Sequence, residues 1–288
     1  MPQSFTATEQ GMGNLPRRRR VVLVTGAGGN IGSYFAEHSN DRYDLRLVEK
    51  TIDDDTRQLE RFGQVLQGDV TDLDQMKRLC QGVDTVLHLA ANPSPNSDWA
   101  SVRDLNITGT YNTFVAAKVA GCRRVIFASS IHAVSGYPAD VQVKTNEPVN
   151  PGDLYGVSKC FGEALARYFA EKEGVSAICL RIGGFQPAEN MRKEEGISML
   201  DAWVSRRDLN QLIQRSIDVE DLQFAIFHGL SNNRFKRLDI SDARQLLGYD
   251  PVDDLTQENP LLKDLKLAER VMSHNLTDGQ KSGIRNEV

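Results

Sequence analysis

The chain has 288 residues, 40% of them hydrophobic, and a formal net charge of -5 at pH 7. This length allows one large domain or two smaller ones, and the acidic balance argues against a nucleic-acid partner, whose binding surface is typically basic. No apolar run approaches the roughly 18 residues that a membrane-spanning helix needs, so we predict no membrane partner.

The cysteines carry no motif. The chain has four of them, and none forms a C-x-x-C pair. Zinc-binding spacing is therefore absent, and a disulfide framework is not expected in a chain of this size. We predict reduced thiols, a cytoplasmic location and no metal site.

The chain opens on a polar stretch, residues 1–19, which we predict to be a disordered tail. Short apolar runs typical of strands buried in a parallel sheet then follow one another. They lie at residues 21–24, 45–48, 85–89, 124–128 and 177–180. Helix-like stretches separate them, the longest at 98–120 and 152–174, the second ending on a glycine as helices often do. This alternation predicts an α/β fold with a Rossmann-type doubly wound parallel sheet.

A glycine pattern follows the first predicted strand. Gly26, Gly29 and Gly32 are spaced G-x-x-G-x-x-G at the head of a helix. In this context the first glycine permits a tight turn, the second lets the backbone approach a pyrophosphate, and the third lets the helix pack on the strand. The helix N-terminus, with Asn30 and Ile31, offers free N–H groups and a positive partial charge to the phosphates. The pattern therefore predicts a dinucleotide site.

Acidic residues follow the second and third strands. Glu49 ends the second strand, where a carboxylate accepts hydrogen bonds from the adenosine ribose and repels a 2′-phosphate, which favours NAD over NADP. A solvated strand-end carboxylate is the alternative, and Lys50 leaves some tolerance of NADP open. Asp69 and Val70 are expected beside the adenine, although Asp69 alternatively serves only in a turn.

Other residues are expected along the cofactor because they end strands at the same sheet edge, where doubly wound folds bind ligands. They are Leu89, Ala90, Ala91 and Ile182.

Three side chains are predicted to carry the chemistry. Tyr155 and Lys159 are four residues apart and share one helix face. A tyrosine with its usual pKa of about 10 is a poor base at neutral pH, but the lysine ammonium and a positively charged nicotinamide stabilise the phenolate. Y-x-x-x-K alone is a weak pattern; Ser130, at the end of the strand at 124–128, strengthens it. We expect its hydroxyl to hold the reacting oxygen against Tyr155, so that both contact the substrate.

The pattern loosens after residue 182, where proline, glycine and paired glutamates interrupt it. A helix is predicted over 204–217 and one further sheet strand over 224–227. We therefore expect an NAD-binding Rossmann domain over 20–182 and a small substrate-binding lobe over 183–262, which contributes that strand. The remainder, 263–288, is a polar C-terminal extension.

The glycine loop, Ser130 and the pair Tyr155 and Lys159 together resemble the extended short-chain dehydrogenase/reductases of the NAD-dependent epimerase/dehydratase family. Two stretches, 127–132 and 154–163, are similar to uronate dehydrogenases, which oxidise a sugar acid at its anomeric carbon to a lactone with NAD. The resemblance implies an NAD-dependent oxidoreductase that acts on a sugar or sugar acid by hydride transfer.

The same resemblance assigns further residues. Asn106 matches a helix asparagine that bonds backbone and water near the site, with a buried structural amide as the alternative. Ile131 stands where uronate dehydrogenases have a sugar-contacting asparagine, and Ser198 where they have an arginine for the sugar carboxylate. Arg192 lies nearby as a substitute cation or a surface residue. His132 is a candidate for the sugar pocket, or a loop histidine satisfied locally.

Two other functions use the same residues. A nucleotide-sugar epimerase or dehydratase would return NAD each cycle, but the short lobe and the segment 131–136, one residue longer than the usual epimerase turn, argue against it. A dinucleotide-sensing protein without turnover typically lacks the tyrosine or the lysine. The helices at 98–120 and 152–174 are expected to pair in a homodimer or higher homo-oligomer, as in the family.

Overall fold

The computed structural model describes residues 19–264 of the chain. The predicted tail (1–19) and C-terminal extension (263–288) lie almost entirely outside these residues. Within the described part, no helix is long and apolar enough to cross a membrane, and the four cysteines are free thiols. The cytoplasmic location stays a prediction.

The strands of this part of the chain are short. They are β1 (Val21–Thr25), β2 (Asp44–Glu49), β3 (Gln64–Gln67), β4 (Thr85–His88), β5 (Arg124–Ser130), β6 (Ser176–Ile182), β7 (Gly184–Phe185), β8 (Trp203–Val204) and β9 (Phe224–Gly229).

Helices connect and cover the strands. They are α1 (Asn30–Ser39), α2 (Asp54–Arg57), α3 (Leu73–Leu79), α4 (Trp99–Ser101), α5 (Gly109–Val119), α6 (Leu154–Tyr168), α7 (Ala188–Met191), α8 (Arg206–Asp218), α9 (Ser241–Leu247), α10 (Leu255–Glu258) and α11 (Pro260–Asp264). Turns of 3-10 pitch occur at Gln58–Arg61, Ile131–Val134 and Glu194–Met199, and π-helical turns at Val102–Thr108 and Phe169–Glu173.

Seven strands form one parallel sheet in the order β3-β2-β1-β4-β5-β6-β9. The order steps away from β1 in both directions, which is the doubly wound arrangement. Every position of β5 and β6 is buried, because helices cover both faces of the sheet and leave only the strand ends accessible. The predicted Rossmann-type α/β fold is confirmed.

The two long predicted helices are present, each with a change of pitch. The stretch predicted over 98–120 runs through α4, a π-helical turn and α5. The stretch predicted over 152–174 runs through α6 and a second π-helical turn, and ends at Gly174 with φ +73°. That left-handed conformation favours glycine, which is why the glycine marks the end of the helix in the sequence.

The helix predicted over 204–217 corresponds to α8, and it packs against the main sheet. Leu212 and Ile213 of α8 pack with Phe35 of α1 in the core on one face of the main sheet. A much smaller core, centred on the fully buried Trp203, lies under the loops of the C-terminal segment. This segment therefore contributes α8 and β9 to the main sheet layers, while the predicted domain boundaries stay a prediction.

Candidate active site

A cleft opens at the carboxyl ends of the strands, where the strand order reverses between β1 and β4, the place where doubly wound folds bind ligands. It consists of a cavity of about 720 Å³ along the glycine loop and one of about 390 Å³ beside Tyr155. The two adjoin, since several residues line both. These are Ile31, Leu89, Ala91, Pro93 and Phe185.

The glycine loop fits a pyrophosphate. Gly26 has φ +69°, and a Cβ there would lie 2.9 Å from the backbone nitrogen of Ala90, so a side chain is excluded. A Cβ on Gly32 would lie 2.6 Å from the carbonyl oxygen of Gly26. Gly29 begins α1 without a side-chain cap, and the first turn of α1 has no acidic residue. The N–H groups at this helix end are therefore left for an anionic ligand, with Asn30 and Ile31 on the cavity wall.

Glu49 lies on the wall of the same cavity, as expected. Its Oε1 atom accepts a hydrogen bond of 2.6 Å from the backbone N–H of Gly28, so the carboxylate is held against the glycine loop. The neighbouring Lys50 forms an ion pair with Asp69, with 3.0 Å between Nζ and Oδ2. The side chain of Lys50 is thereby turned towards Asp69, while the carboxylate of Glu49 is fixed at the glycine loop.

Asp69 serves in a turn as well as on the cavity wall. Its Oδ1 atom accepts hydrogen bonds from the backbone N–H and the hydroxyl of Thr71, at 2.9 and 2.7 Å. Burial acts to raise the pKa of Asp69, but these bonds and Lys50 outweigh it and lower the pKa. Asp69 therefore does stabilise a turn, as the alternative interpretation expected. It also lies on the cavity wall where the adenine is expected.

The structure brings most of the other predicted cofactor residues to the cleft. Val70, Leu89, Ala90 and Ala91 line the larger cavity, and Ile182 lines the smaller one. Asn106 lines neither.

Asn106 is buried and bridges two segments. Its Oδ1 atom accepts from the N–H of Asn92 at 2.8 Å, and its Nδ2 atom donates to the carbonyl of Asn92 and to Ser158 Oγ. This amide ties the loop after β4 to α6, which corresponds to the structural alternative.

Ser130, Tyr155 and Lys159 converge at the smaller cavity. Ser130 lies close enough to Tyr155 to act on the pKa of its phenol. Lys159 Nζ lies 5.4 Å from the centre of the Tyr155 ring and donates to the Ala128 carbonyl at 2.8 Å. All three predicted catalytic residues therefore share one site, which α6 and the end of β5 build together.

Burial governs the ionisation of this group. It raises the pKa of Tyr155, the neighbouring Ser130 hydroxyl acts to lower it, and the Asp153 carboxylate adds to the increase. Burial also lowers the pKa of Lys159 to about 8. The sequence predicts a lowered pKa for Tyr155, whereas in the protein without cofactor this pKa is raised. The difference arises because part of the positive charge expected to lower the pKa belongs to the nicotinamide of the cofactor.

Asp153, which the sequence analysis missed, organises the entrance to the site. Its Oδ1 atom accepts from the N–H of Gly156 at 2.7 Å and caps α6, and its Oδ2 atom lies 2.6 Å from His132 Nδ1. The His132 ring packs edge-on against Tyr155 with 5.5 Å between ring centres, and it lines the smaller cavity. An aspartate directly before a helix is a capping signal, so the sequence did carry a hint of it.

A buried ion pair lies behind the site and was also missed. Arg181 on β6 donates from Nε and Nη2 to the two carboxylate oxygens of Glu163, each at 2.9 Å, and both side chains are buried. Ser129 donates to Glu163 Oε1 at 2.6 Å. Because Glu163 lies on α6 two turns after Tyr155, and Ser129 directly precedes Ser130, the network fixes the helix against both strands. No local pattern indicated this pair, because Glu163 and Arg181 lie 18 residues apart on different elements.

Two predicted substrate residues do not reach the cavity. Arg192 is exposed and pairs with Glu258 at 3.3 Å. Ser198 is exposed, and its hydroxyl donates to the carbonyl of Glu195 at 2.7 Å. Ile131 does line the cavity. The turn between Arg192 and Ser198 is irregular, with a 3-10 segment, so no periodicity in the sequence indicated which side chains face inward.

The fold and this site together define a dinucleotide-dependent enzyme of the extended short-chain dehydrogenase/reductase class. The model of the NAD dependent epimerase/dehydratase family matches residues 22–213, and the chain belongs to this family. The resemblance inferred from the sequence is confirmed.

Known proteins are similar over most of the chain. An NAD-dependent glucose-6-phosphate dehydrogenase from Haloferax volcanii is 36% identical over 248 residues, 81% of this chain and 93% of its own length. An L-arabinose 1-dehydrogenase (NAD(P)(+)) from the same organism is 33% identical, covering 81% and 96%. A solved structure of a uronate dehydrogenase mutant from Agrobacterium tumefaciens, complexed with NAD, superposes with a TM-score of 0.75 at 28% identity, covering 89% of this chain and 92% of that one.

Proposed function

We propose that this chain is an NAD-dependent dehydrogenase that oxidises a sugar or sugar acid at the anomeric carbon to a lactone. The observation that carries the proposal is the convergence of Ser130, Tyr155 and Lys159 at one end of a cleft whose other end is a glycine loop. The named activities of the relatives support a sugar as the substrate, since each is a dehydrogenase of a sugar, sugar phosphate or uronate.

The glycine-loop end fits NAD. The N-terminus of α1 would hold the pyrophosphate, and Glu49 would accept hydrogen bonds from the adenosine ribose hydroxyls. When bound, NAD is the acceptor for the hydrogen and the electron pair that leave the anomeric carbon.

The protein side chains handle the proton. Ser130 and Tyr155 hydrogen-bond the anomeric hydroxyl between them. As the C–H bond at the anomeric carbon breaks and the carbonyl of the lactone forms, the hydroxyl proton passes to the Tyr155 phenolate, and from there to solvent. The products are the lactone, the reduced cofactor and one proton. Lys159 holds positive charge behind the ring of Tyr155 and would bind the nicotinamide ribose.

The raised pKa of Tyr155 has a consequence for the order of events. In the protein alone, burial disfavours the phenolate. Extra positive charge close to the ring stabilises it, so we expect Tyr155 to become an effective base only in the complex with oxidised NAD. Proton removal is then coupled to cofactor occupancy.

The epimerase alternative is less supported. The cavity beside Tyr155 has a volume of about 390 Å³ and is lined by Phe185 and Met199 among others. This volume suits a monosaccharide better than a nucleotide diphosphate sugar. The two relatives at 36% and 33% identity described above are both named as dehydrogenases.

The test is formation of reduced cofactor. Purified protein is mixed with NAD and a panel of pentoses, hexoses and uronates, and reduced nicotinamide and lactone are quantified together. We expect equal amounts of the two products with at least one sugar class. Tightly bound NAD, an epimerised sugar and no net reduction across the panel would contradict the proposal in favour of an epimerase.

We further propose that two copies pair through α5 and α6. Tyr111 and Val119 on α5 and Val157 and Tyr168 on α6 are large apolar side chains that are about half exposed. Since α5 and α6 contact each other, we expect these side chains to contribute to one surface. Such a surface is typical of association between copies.

Sedimentation of the full chain tests this pairing. We expect a dimer, and expect Val157→Glu to convert it to a monomer. Leu246→Glu, at an equally exposed apolar position on α9, is the matched control and should leave the mass unchanged. A monomer at all concentrations would overturn the assembly proposal without affecting the chemistry.

A further inference from the structure

The substrate end of the cleft has few polar side chains. Those beside the reacting position are Ser130, Tyr155 and His132. Most of the remaining lining, which we call the far wall, is apolar, and Gln186 is a polar side chain within it. The apolar residues of the far wall include Pro93, Pro95, Phe185 and Met199.

The histidine at this cavity is already paired. His132 Nδ1 lies 2.6 Å from the carboxylate of Asp153. If the imidazole is protonated, its charge is balanced by Asp153; if it is neutral, the pair carries a net negative charge. In either case His132 offers little net attraction to an anionic substituent of the substrate, because that substituent would also approach the carboxylate of Asp153.

The lysine at this cavity is at the wrong end to bind an anion on the far side of a sugar ring. Lys159 Nζ is buried and donates to the carbonyl of Ala128. It lies behind Tyr155, next to the anomeric position, whereas the carboxylate of a uronate or the phosphate of a hexose 6-phosphate is carried across the ring. Among residues 19–264, these two are the ionisable cationic side chains on the wall of this cavity.

The far wall is occupied by a thioether. A Cβ on Gly184 would lie 2.8 Å from Met199 Sδ, so the methionine fills the space that glycine leaves there. Its neighbour Ser198 faces outward, and Arg192 is engaged with Glu258 on the surface. An anion placed against this wall would lose its hydration and gain no counter-charge, which is strongly unfavourable. The C–H face of a neutral sugar is weakly hydrated, so placing it against this wall would cost much less free energy than placing an anion there.

We propose that the substrate is a neutral aldose, a pentose or hexose without a carboxylate or phosphate, with Met199 and the other apolar residues of the far wall setting this preference. This inference rests on the proposed dehydrogenase function and names the substrate class of the same site.

A matched substrate series tests it on the wild-type protein with saturating NAD. D-xylose, D-glucose, D-glucuronate and D-glucose 6-phosphate share one ring configuration and differ in the group on the fifth carbon. L-arabinose, D-galactose and D-galacturonate form a second such series. In the series that is turned over, we expect kcat/KM of the best neutral sugar to exceed that of each anionic member at least about 10-fold, the size of a modest specificity difference.

The outcomes separate the two claims. Equal or higher kcat/KM for a uronate or the sugar phosphate would overturn the neutral-sugar inference and leave the dehydrogenase function standing. No cofactor reduction with any member of either series would overturn the proposed function and this inference with it.

A pair of neighbouring variants tests the wall itself. Met199→Arg would place a guanidinium on the cavity wall, and we expect it to raise the ratio of uronate to neutral-sugar kcat/KM about 10-fold, as one added charge-assisted contact can. Ser198→Arg, one residue away but facing solvent, is the matched control and should leave the ratio unchanged. A gain from Ser198→Arg without one from Met199→Arg would show that the wall is built differently from the account above.

Discussion

The glycine loop presents backbone groups to one end of the cleft, whereas the end beside Tyr155 is built from side chains that arrive from separate segments. At the first end, N–H groups of α1 and the backbone of Gly26 form the surface of the loop, and the Glu49 side chain is held against it. At the second end, the walls come from the loop after β4, the end of β5, α6 and the turn Glu194–Met199. A backbone site requires glycine at fixed positions and so leaves a pattern in the sequence, while a side-chain wall leaves none.

The two ends also divide the work, with binding at one and proton transfer at the other. Tyr155→Phe should separate them most strongly. It removes the hydroxyl that accepts the substrate proton, so kcat should fall by about 10²- to 10⁴-fold, the usual contribution of a general base. The dissociation constant of NAD, measured by titration, should change little. Retained turnover would remove Tyr155 as the base, and a large loss of NAD affinity would mean that the two ends are not separable.

The buried ion pair behind the catalytic end should have the largest effect on stability. Glu163→Gln leaves Arg181 without a counter-charge at a site that is nearly fully buried, so the free energy of unfolding should fall by about 3–5 kcal/mol. Ser129→Ala removes one hydrogen bond to the same carboxylate and should cost only about 1 kcal/mol. Denaturant unfolding measures both. Similar small losses for the two variants would mean that the ion pair does not hold α6 against the sheet.

Each half of the sheet also contains a histidine that is buried in its neutral form. Burial lowers the pKa of His88 on β4 to about 3 and that of His228 on β9 to about 4. The unfolded chain takes up these protons at about pH 6.5, whereas the folded protein does not. Stability should therefore fall as the pH drops from about 6.5 towards 4, by up to about 1.4 kcal/mol per pH unit for each histidine.

A pair of variants assigns this pH dependence. His228→Asn keeps a donor for the carbonyl of Asp239, which His228 Nδ1 contacts at 2.8 Å, and should reduce the slope of stability against pH. His38→Asn, at an exposed position on α1, should not. An unchanged slope in His228→Asn would show that this histidine does not resist protonation in the folded state.

The smallest expected effect concerns cofactor choice at the backbone-built end. Glu49→Ala removes the carboxylate that would repel a 2′-phosphate, so the preference for NAD over NADP in kcat/KM should narrow by roughly 10-fold, a modest part of what like-charge repulsion can cost. Asp44→Ala, at the exposed start of the same strand, is the control and should leave the ratio as it is. If both variants keep the wild-type ratio, the discriminating group lies elsewhere on the cavity wall.

Prediction from the sequence succeeded where one local rule decided the structure. The strands are near-continuous apolar runs because both faces of the sheet are covered, and Ser130 and Tyr155 meet because strand ends and the start of α6 share one edge of the sheet. It failed where the outcome depended on packing between distant segments. Nothing local distinguishes the inward-facing Met199 from the outward-facing Ser198, and the two-stranded pairing of β7 with β8 rests on residues far apart in the chain.

The sequence also did not predict which residues individual side chains would hydrogen-bond. Asn106 is expected to bond backbone near the site, but no sequence pattern indicated that its partners are Asn92 and Ser158; its role at the cofactor stays a prediction. The contact of His132 with Asp153 joins residues 21 positions apart, and no pattern in the sequence linked these two residues.

The most direct test of the central claim follows the hydrogen on the anomeric carbon. The best sugar substrate, deuterated at that carbon, is incubated with the protein and NAD, and the mass of the reduced cofactor is measured. We expect each reduced cofactor to carry one deuterium and the lactone to carry none. Unlabelled reduced cofactor would place the oxidation at another carbon, and an epimerised sugar with no free reduced cofactor would contradict a dehydrogenase altogether.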